Sequence, residues 1–255
     1  MEKLLCFEHA SITDRGCVRE SNADYVGSYL PSSKTERSTA GSLFLVADGV
    51  GGAEDGRKAG KIAVHHIFSH YYENSIVDPM AHLRAAIENA NYELFEMSTQ
   101  SGQEGSYATT IVAALVHRQV IYFASVGDSR AYLIDEHRID QVTTDHTLVN
   151  HLLQKGVITR DEAIVHPKRN VITRSLGVRR NIKIDFFTRN PAVGDTVVLC
   201  SDGLTRYVFP NELFELSQSF DVESLPDRLL SLAKDRGGRD NISANIIRFT
   251  GVEEL

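Results

Sequence analysis

Four aspartates in this chain stand where an apolar run stops or starts: Asp48 in LFLVADGVGG, Asp128 in IYFASVGDSR, Asp202 in TVVLCSDGL, and Asp240 in GGRDNISANIIRF, where it precedes the run. Each has a glycine beside it or within three residues, which lets backbone approach a ligand closely and leaves carbonyls free to bind as well. Hard carboxylate oxygens on rigid elements are what Mg²⁺ or Mn²⁺ require. A single Asp-Gly pair is an ordinary turn signal. Four aspartates at the ends of apolar runs point instead to a divalent metal centre.

Other reactive spacings carry less. Cys200 to Arg206 fits C-x5-R, the spacing of a thiolate phosphatase loop. That chemistry needs an unobstructed cradle of backbone N–H groups and a lowered thiol pKa, and Asp202 would put a carboxylate into the cradle. Cys200 therefore reads as a buried strand residue. Ser129 and Ser201 read as turn hydroxyls, since no histidine is placed by motif to activate them. The glycine-rich stretch 49–61 misses the P-loop spacing, because Lys61 is followed by Ile62. His66 and His70 lie four apart with Ile, Phe and Ser between them and no HExxH, so they read as surface or core histidines.

The elements that must position the aspartates follow from hydrophobic period. Strands are expected at 42–47, 107–117, 119–126, 130–134, 182–188, 195–201 and 243–249. Several are joined by short turns, which implies antiparallel neighbours. A helix is expected over 79–97, where Met80, Leu83, Ile87, Ala90 and Leu94 share one face. Others are expected at 56–73 and at 224–236, the latter ending on a left-handed Gly237. The segment 145–159 reads as a helical insertion closing at Gly156, followed by a capping box from Thr159 to Glu162. Strands and helices come in groups, which favours an α+β layered sandwich over a doubly wound parallel sheet.

Composition excludes other classes. With 27 Lys and Arg against 34 Asp and Glu, the net charge is −7, so the chain repels phosphodiester backbones and is no general nucleic-acid binder. Its longest apolar runs, such as IVAALV at 111–116, are far too short to span a membrane. The N-terminal MEKLLCFEHA lacks a signal-peptide core, and three cysteines without a CxxC pair suit a reducing compartment; a cytoplasmic location is expected. Between Arg160 and Arg189 eight basic residues face three acidic ones. That local excess is either a solvated face or a surface that steers an anionic substrate.

Taken in order, these motifs resemble the metal-dependent serine/threonine protein phosphatases of type 2C, in their compact bacterial form. The resemblance runs the length of the chain. It rests on Arg19-Glu20-Ser21-Asn22-Ala23-Asp24, Asp48-Gly49-Val50-Gly51-Gly52, Ala108-Thr109-Thr110, Gly127-Asp128-Ser129-Arg130, Val171 to Gly177, Ser201-Asp202-Gly203-Leu204 and Gly238-Arg239-Asp240-Asn241. It implies a four-layer α-β-β-α sandwich of two antiparallel sheets flanked by helices, in one domain over 1–255, with a small helical flap near 145–180. It also implies hydrolysis of phosphoserine and phosphothreonine on proteins that a serine/threonine kinase has modified. Water activated at a binuclear Mn²⁺ or Mg²⁺ centre would attack, with no covalent phosphoenzyme. By this likeness Asp48 bridges the two ions, the Gly49 carbonyl completes one shell, and Asp202 and Asp240 bind the remaining positions. Asp24 orients the attacking water and Arg19 clamps the phosphate. The leaving-group proton would come from water on a third ion at Asp128 and Asp202, or from His166.

Two positions depart from the family pattern. Ala23 stands where Glu or Gln is usual, so one hydrogen-bonding group near the metal waters is missing. Val50 stands where animal-type members often have His, so that residue cannot protonate the leaving group. Ala23 is the one support for an alternative reading, a catalytically weak member that binds phosphorylated partners as a regulator. The retained aspartates oppose it, because carboxylates without metal repel phosphate.

Overall fold

The computed structural model describes residues 3–50, 54–73 and 77–255. In chain order the first elements are β1 (Lys3–Asp14), β2 (Tyr25–Tyr29), α1 (Lys34–Thr39), β3 (Ser42–Ala47), β4 (Gly49–Val50), α2 (Glu54–Tyr72) and α3 (Pro79–Gln100). The middle of the chain gives β5 (Ala108–Thr109), β6 (Ile111–His117), β7 (Val120–Val126), β8 (Arg130–Ile134), β9 (Ile139–Gln141), α4 (Leu148–Gln154) and α5 (Arg160–Val165). It closes with β10 (Asp185–Arg189), β11 (Thr196–Cys200), α6 (Asp202–Thr205), α7 (Pro210–Ser219), α8 (Leu225–Asp235) and β12 (Ile242–Glu254). Gly51 and Gly52 of the central motif lie outside the described residues.

Two five-stranded antiparallel sheets are stacked face to face, one in the order β1-β12-β11-β8-β9 and the other β10-β7-β6-β3-β2. The two-residue side-chain period of a strand divides the apolar residues among three cores. From β3, Leu43, Leu45 and Ala47 turn outward to α2 and α3, while Phe44 and Val46 turn inward between the sheets. From β11, Val197 and Leu199 face inward, and Val198 and Cys200 face α7 and α8. Strands buried on both faces explain why these two runs are continuously apolar. The α+β sandwich with helices outside both sheets is thus the architecture the sequence implied.

Some elements differ from the sequence expectation. The run 107–117 is two strands, because at Thr110 the backbone N–H turns to the Asp48 carbonyl (2.8 Å) instead of continuing one ladder. The 182–188 run narrows to β10, which pairs with β7 from Asp185 to Arg189. Neither β1, β2 nor α7 was anticipated. β1 is an edge strand with polar residues through its second half, and it is held by a twelve-residue register against β12 from Lys3–Glu254 to Asp14–Ile242. The helical insertion holds: α4 and α5 stand between β9 and β10. Its capping box is also present, with Glu162 Oε2 accepting from Thr159 N at 2.7 Å and Thr159 Oγ1 accepting from Glu162 N at 3.3 Å. Among the described residues no helix is long and apolar enough to cross a membrane.

Phe44 sits fully buried between the sheets, edge-on to Phe7 at 5.5 Å between ring centroids. Phe44→Ala is expected to lower unfolding free energy by about 3–5 kcal/mol, measured by urea denaturation. A loss below about 1 kcal/mol would mean that this layer is not close-packed.

Candidate functional site

Asp48 leaves β3 at the edge of a cleft, and neighbouring strands fix its backbone. Its carbonyl accepts from Thr110 N (2.8 Å) and Thr109 Oγ1 (2.9 Å), and its N–H donates to Thr110 Oγ1 (3.1 Å). Gly49 N donates to Ala23 O at 3.3 Å, which draws the loop carrying Asp24 alongside. A Cβ on Gly49 would stand 2.2 Å from Gly56 O and 2.8 Å from Ala23 O, so this close approach requires glycine.

Asp202 follows β11 and opens α6, while Asp240 precedes β12, the strand paired with β11. A Cβ on Gly203 would lie 1.9 Å from Asn241 O, so only glycine lets the two loops meet. Asn241 is the clamp between them and the N-terminal loop. Its Oδ1 accepts from Ala23 N (2.8 Å), and its Nδ2 donates to Arg15 O (3.0 Å) and Ser21 O (2.9 Å). Arg19 meets Asp240 as a bidentate fork, Nε to Oδ1 at 2.8 Å and Nη2 to Oδ2 at 3.0 Å. Arg206 holds Asp202 Oδ2 through Nη2 and through Nε at 3.1 Å, and its Nη1 lies 3.7 Å from Asp240 Oδ2.

The carboxylates share one electrostatic environment. Burial, reinforced by Asp24, Asp202, Asp128 and Asp240, pushes the Asp48 carboxyl well above its usual range. Burial raises Asp24 to about 7 despite hydrogen bonds from Ser201 and Ser243, with Asp202 and Asp240 adding to the rise. Asp128 is raised to about 7 as well, by burial first and then by Asp202 and Asp145. Asp202 is raised because its burial outweighs the attraction of Arg206. Asp24 Oδ2 and Asp128 Oδ1 are buried without a hydrogen-bond partner, an arrangement costly to keep unless a cation completes it. Clustered, desolvated, oxygen-only donors with orphaned lone pairs fit a hard divalent cation. Among the described residues no three of these side chains already converge on a single ligation point, and Arg19 and Arg206 are engaged with two of them.

The site opens into two clefts that share Asn170, Asp202 and Arg206. One, of about 390 Å³, is lined by Arg19, Ala23, Asp48, Gly49 and Asp240. The other, of about 1070 Å³, runs under α4 and α5 from Asp128 past Arg169 to Phe209. The segment bearing α4 and α5 is fastened at its root. Arg130 grips Asp145 through Nε (3.0 Å to each oxygen) and Nη2 (2.6 Å). His146 Nδ1 accepts from Gly127 N at 2.9 Å, and its Nε2 lies 3.0 Å from Asp185 Oδ2 and 2.8 Å from Arg174 Nη1. Burial lowers the His146 pKa. The returning limb pairs Leu176 with Thr109.

Arg19, Asp24, Asp48, Gly49, Asp202 and Asp240 thus gather at one place, with Asp128 beside Asp202. His166 Nδ1 is engaged by Lys168 N at 3.1 Å, on the segment above the larger cleft. The basic run is not one surface, since Arg174 is committed to Asp185 (2.8 Å) and Arg189 faces Asp140 (3.4 Å), while Arg169 lines the cleft. Sequence reasoning missed Arg206 and Asn241 as working parts. The signals available were the i, i+4 spacing of Arg206 from Asp202 and the Asn241 next to Asp240.

A family model described as Protein phosphatase 2C matches residues 32–244. The serine/threonine phosphatase stp of Listeria monocytogenes is 33% identical over 240 residues, covering 92% of this chain and 93% of that protein. The crystal structure of serine/threonine phosphatase Stp1 from Staphylococcus aureus superposes with a TM-score of 0.88 at 32% identity, over 98% of each chain. The catalytic domain of the serine threonine protein phosphatase PstP, in complex with two manganese ions, gives a TM-score of 0.82 at 28% identity, over 96% of this chain and 99% of that one.

The raised carboxyls fix the sign of a pH effect. Asp24 and Asp128 move from 3.8 to about 7 on folding, so across that window the folded chain binds more protons than the unfolded one. In EDTA the melting temperature is therefore expected to rise as pH falls from about 8 to about 5.5, a window set by those two shifts. It should fall again as pH climbs through 7. A profile that falls on acidification across that window contradicts the assignment.

Proposed function

The chain belongs to the protein phosphatase 2C family and is a serine/threonine phosphatase. From that premise we propose that it hydrolyses phosphoserine and phosphothreonine on proteins at a binuclear Mn²⁺ or Mg²⁺ centre held by Asp48, the Gly49 carbonyl, Asp202 and Asp240, with Asp128 and Asp202 available to a third ion. The observation that carries this reading is the gathering of five buried or half-buried aspartates, two with orphaned oxygens, around clefts open to solvent. The manganese complex of the PstP catalytic domain adds support. Divalent ions bound there would neutralise the phosphoryl dianion and make a water acidic enough to attack near neutral pH.

The chain's own residues then have defined work. Arg19, half exposed at the cleft rim, presents a planar fork suited to phosphate oxygens. Asp24, buried beside Asp202 and Asp240 with one oxygen unpartnered, would orient the attacking water by accepting a hydrogen bond from it. No side chain is phosphorylated in this mechanism. Cys200 is fully buried and its thiol is pushed up to about 12 by burial, so it supplies almost no thiolate. Ser201 Oγ is taken by Ser243 N (3.0 Å) and Ser129 Oγ by Thr110 Oγ1 (2.7 Å). Ala23 lines the smaller cleft, so the hydrogen-bonding group missing at that position would be missing beside the metal waters. The phosphoproteins are substrates of a serine/threonine kinase in this reading, and the odd number of cysteines supports a cytoplasmic setting.

Phosphate release from a phosphothreonine peptide should be abolished by EDTA and restored by Mn²⁺ or Mg²⁺, while Asp48→Asn reduces turnover by roughly two orders of magnitude or more. Chelator-insensitive turnover, or a merely few-fold loss in the variant, contradicts the metal assignment. Cys200→Ser should keep near wild-type turnover. Complete loss in a variant of native circular dichroism would restore the thiolate mechanism.

A further inference from the structure

Arg206 stands one residue beyond α6, four after Asp202, a spacing that folds its side chain back over the aspartate. Two of its nitrogens bond Asp202 Oδ2, and its third lies 3.7 Å from Asp240 Oδ2. Its side chain keeps 36% of its surface exposed, while Asp202 and Asp240 keep 18% and 19%. The guanidinium lines both clefts and so sits on the wall between the smaller one, which holds Asp48, and the larger one under α4 and α5. The larger cleft, of about 1070 Å³, adjoins it on the side away from Asp48.

A divalent ion at Asp202 and Asp240 needs the same oxygen lone pairs that Arg206 engages. Charge-assisted hydrogen bonds to a half-buried carboxylate are among the stronger polar contacts in a protein. Being covalently attached, the competitor is always present at high local concentration. We propose that Arg206 is an internal counter-cation that holds Asp202 and Asp240 at low metal concentration and swings toward the larger cleft when an ion binds. It thereby sets the metal concentration at which the centre fills. This inference rests on the metal-centre reading above. It assigns Arg206 a positioning role toward the carboxylates, with no contact to the reacting phosphorus.

The test is calorimetric titration of Mn²⁺ into the EDTA-stripped, dialysed full chain, for wild type, Arg206→Gln and Arg206→Lys, with melting temperatures recorded in EDTA. Losing two charge-assisted bonds should let Arg206→Gln bind Mn²⁺ roughly 10-fold tighter or more. The same variant should melt lower in EDTA, because its carboxylates lose their cation. Arg206→Lys retains the charge without the fork and should fall between wild type and Arg206→Gln in affinity. If Arg206→Gln does not fold without metal, the lysine variant carries the comparison, and an affinity equal to wild type overturns the proposal. Equal or weaker binding by Arg206→Gln also overturns it, while Mn²⁺ binding by wild type leaves the metal centre standing. Wild type that binds no Mn²⁺ removes the metal-centre reading itself.

Discussion

Carboxylates repel one another, and the structure around this site is organised to hold several of them together in spite of that. Asp24, Asp48, Asp128 and Asp202 are all pushed toward their neutral forms by burial and by each other. Flexible loops would let them separate. Instead Asp48, Asp128 and Asp202 stand within two residues of the ends of strands of the two sheets, and Asp240 precedes another. The inter-sheet core of Phe44, Val46, Val197, Leu199 and Ile247 sets how far apart those strand ends can be. The packing of the sandwich therefore opposes the repulsion at its edge, and the arginines relieve part of it.

Much of the fold was legible because strands buried on both faces read as short, continuously apolar runs bounded by turn residues. SLFLVA and TVVLC are too short and too apolar for a surface helix, and both appeared as strands where expected. β1 was missed for the opposite reason: its polar residues dilute the pattern, and a register with β12 across more than two hundred residues holds it. Such pairing is a property of partners, which one segment read alone does not display. The break at Thr110 is similar, since a side chain and amide serving Asp48 outweigh a locally ideal strand.

The site divides along the same line. Asp48, Asp128, Asp202 and Asp240 were visible because a carboxylate at the end of an apolar run is a local pattern, and the ordered motifs identified Arg19 and Asp24. Asn241 was quoted in a motif without a role, because its work is done on Ala23, Arg15 and Ser21 far away in sequence. Arg206 had a local signal in its spacing from Asp202. Its approach to Asp240, however, depends on β11 and β12 lying side by side. The basic run looked like one feature and is not, because Arg174 turns inward to Asp185.

The placement of β12 bears on how the chain matures during synthesis. It lies between β1 and β11 in its sheet, although it comes after every other described strand in chain order. The other sheet, with α2 and α3 against it, has all its strands by Arg189 and can close early. The first sheet stays divided, with β1 unpartnered and apolar residues such as Leu5 uncovered, until 242–254 emerge. The same late segment follows Asp240 and Asn241, so the half-made molecule has neither the last carboxylate nor the clamp on the Arg19 loop. Until that segment joins it, the open sheet edge is the surface most in need of protection from aggregation.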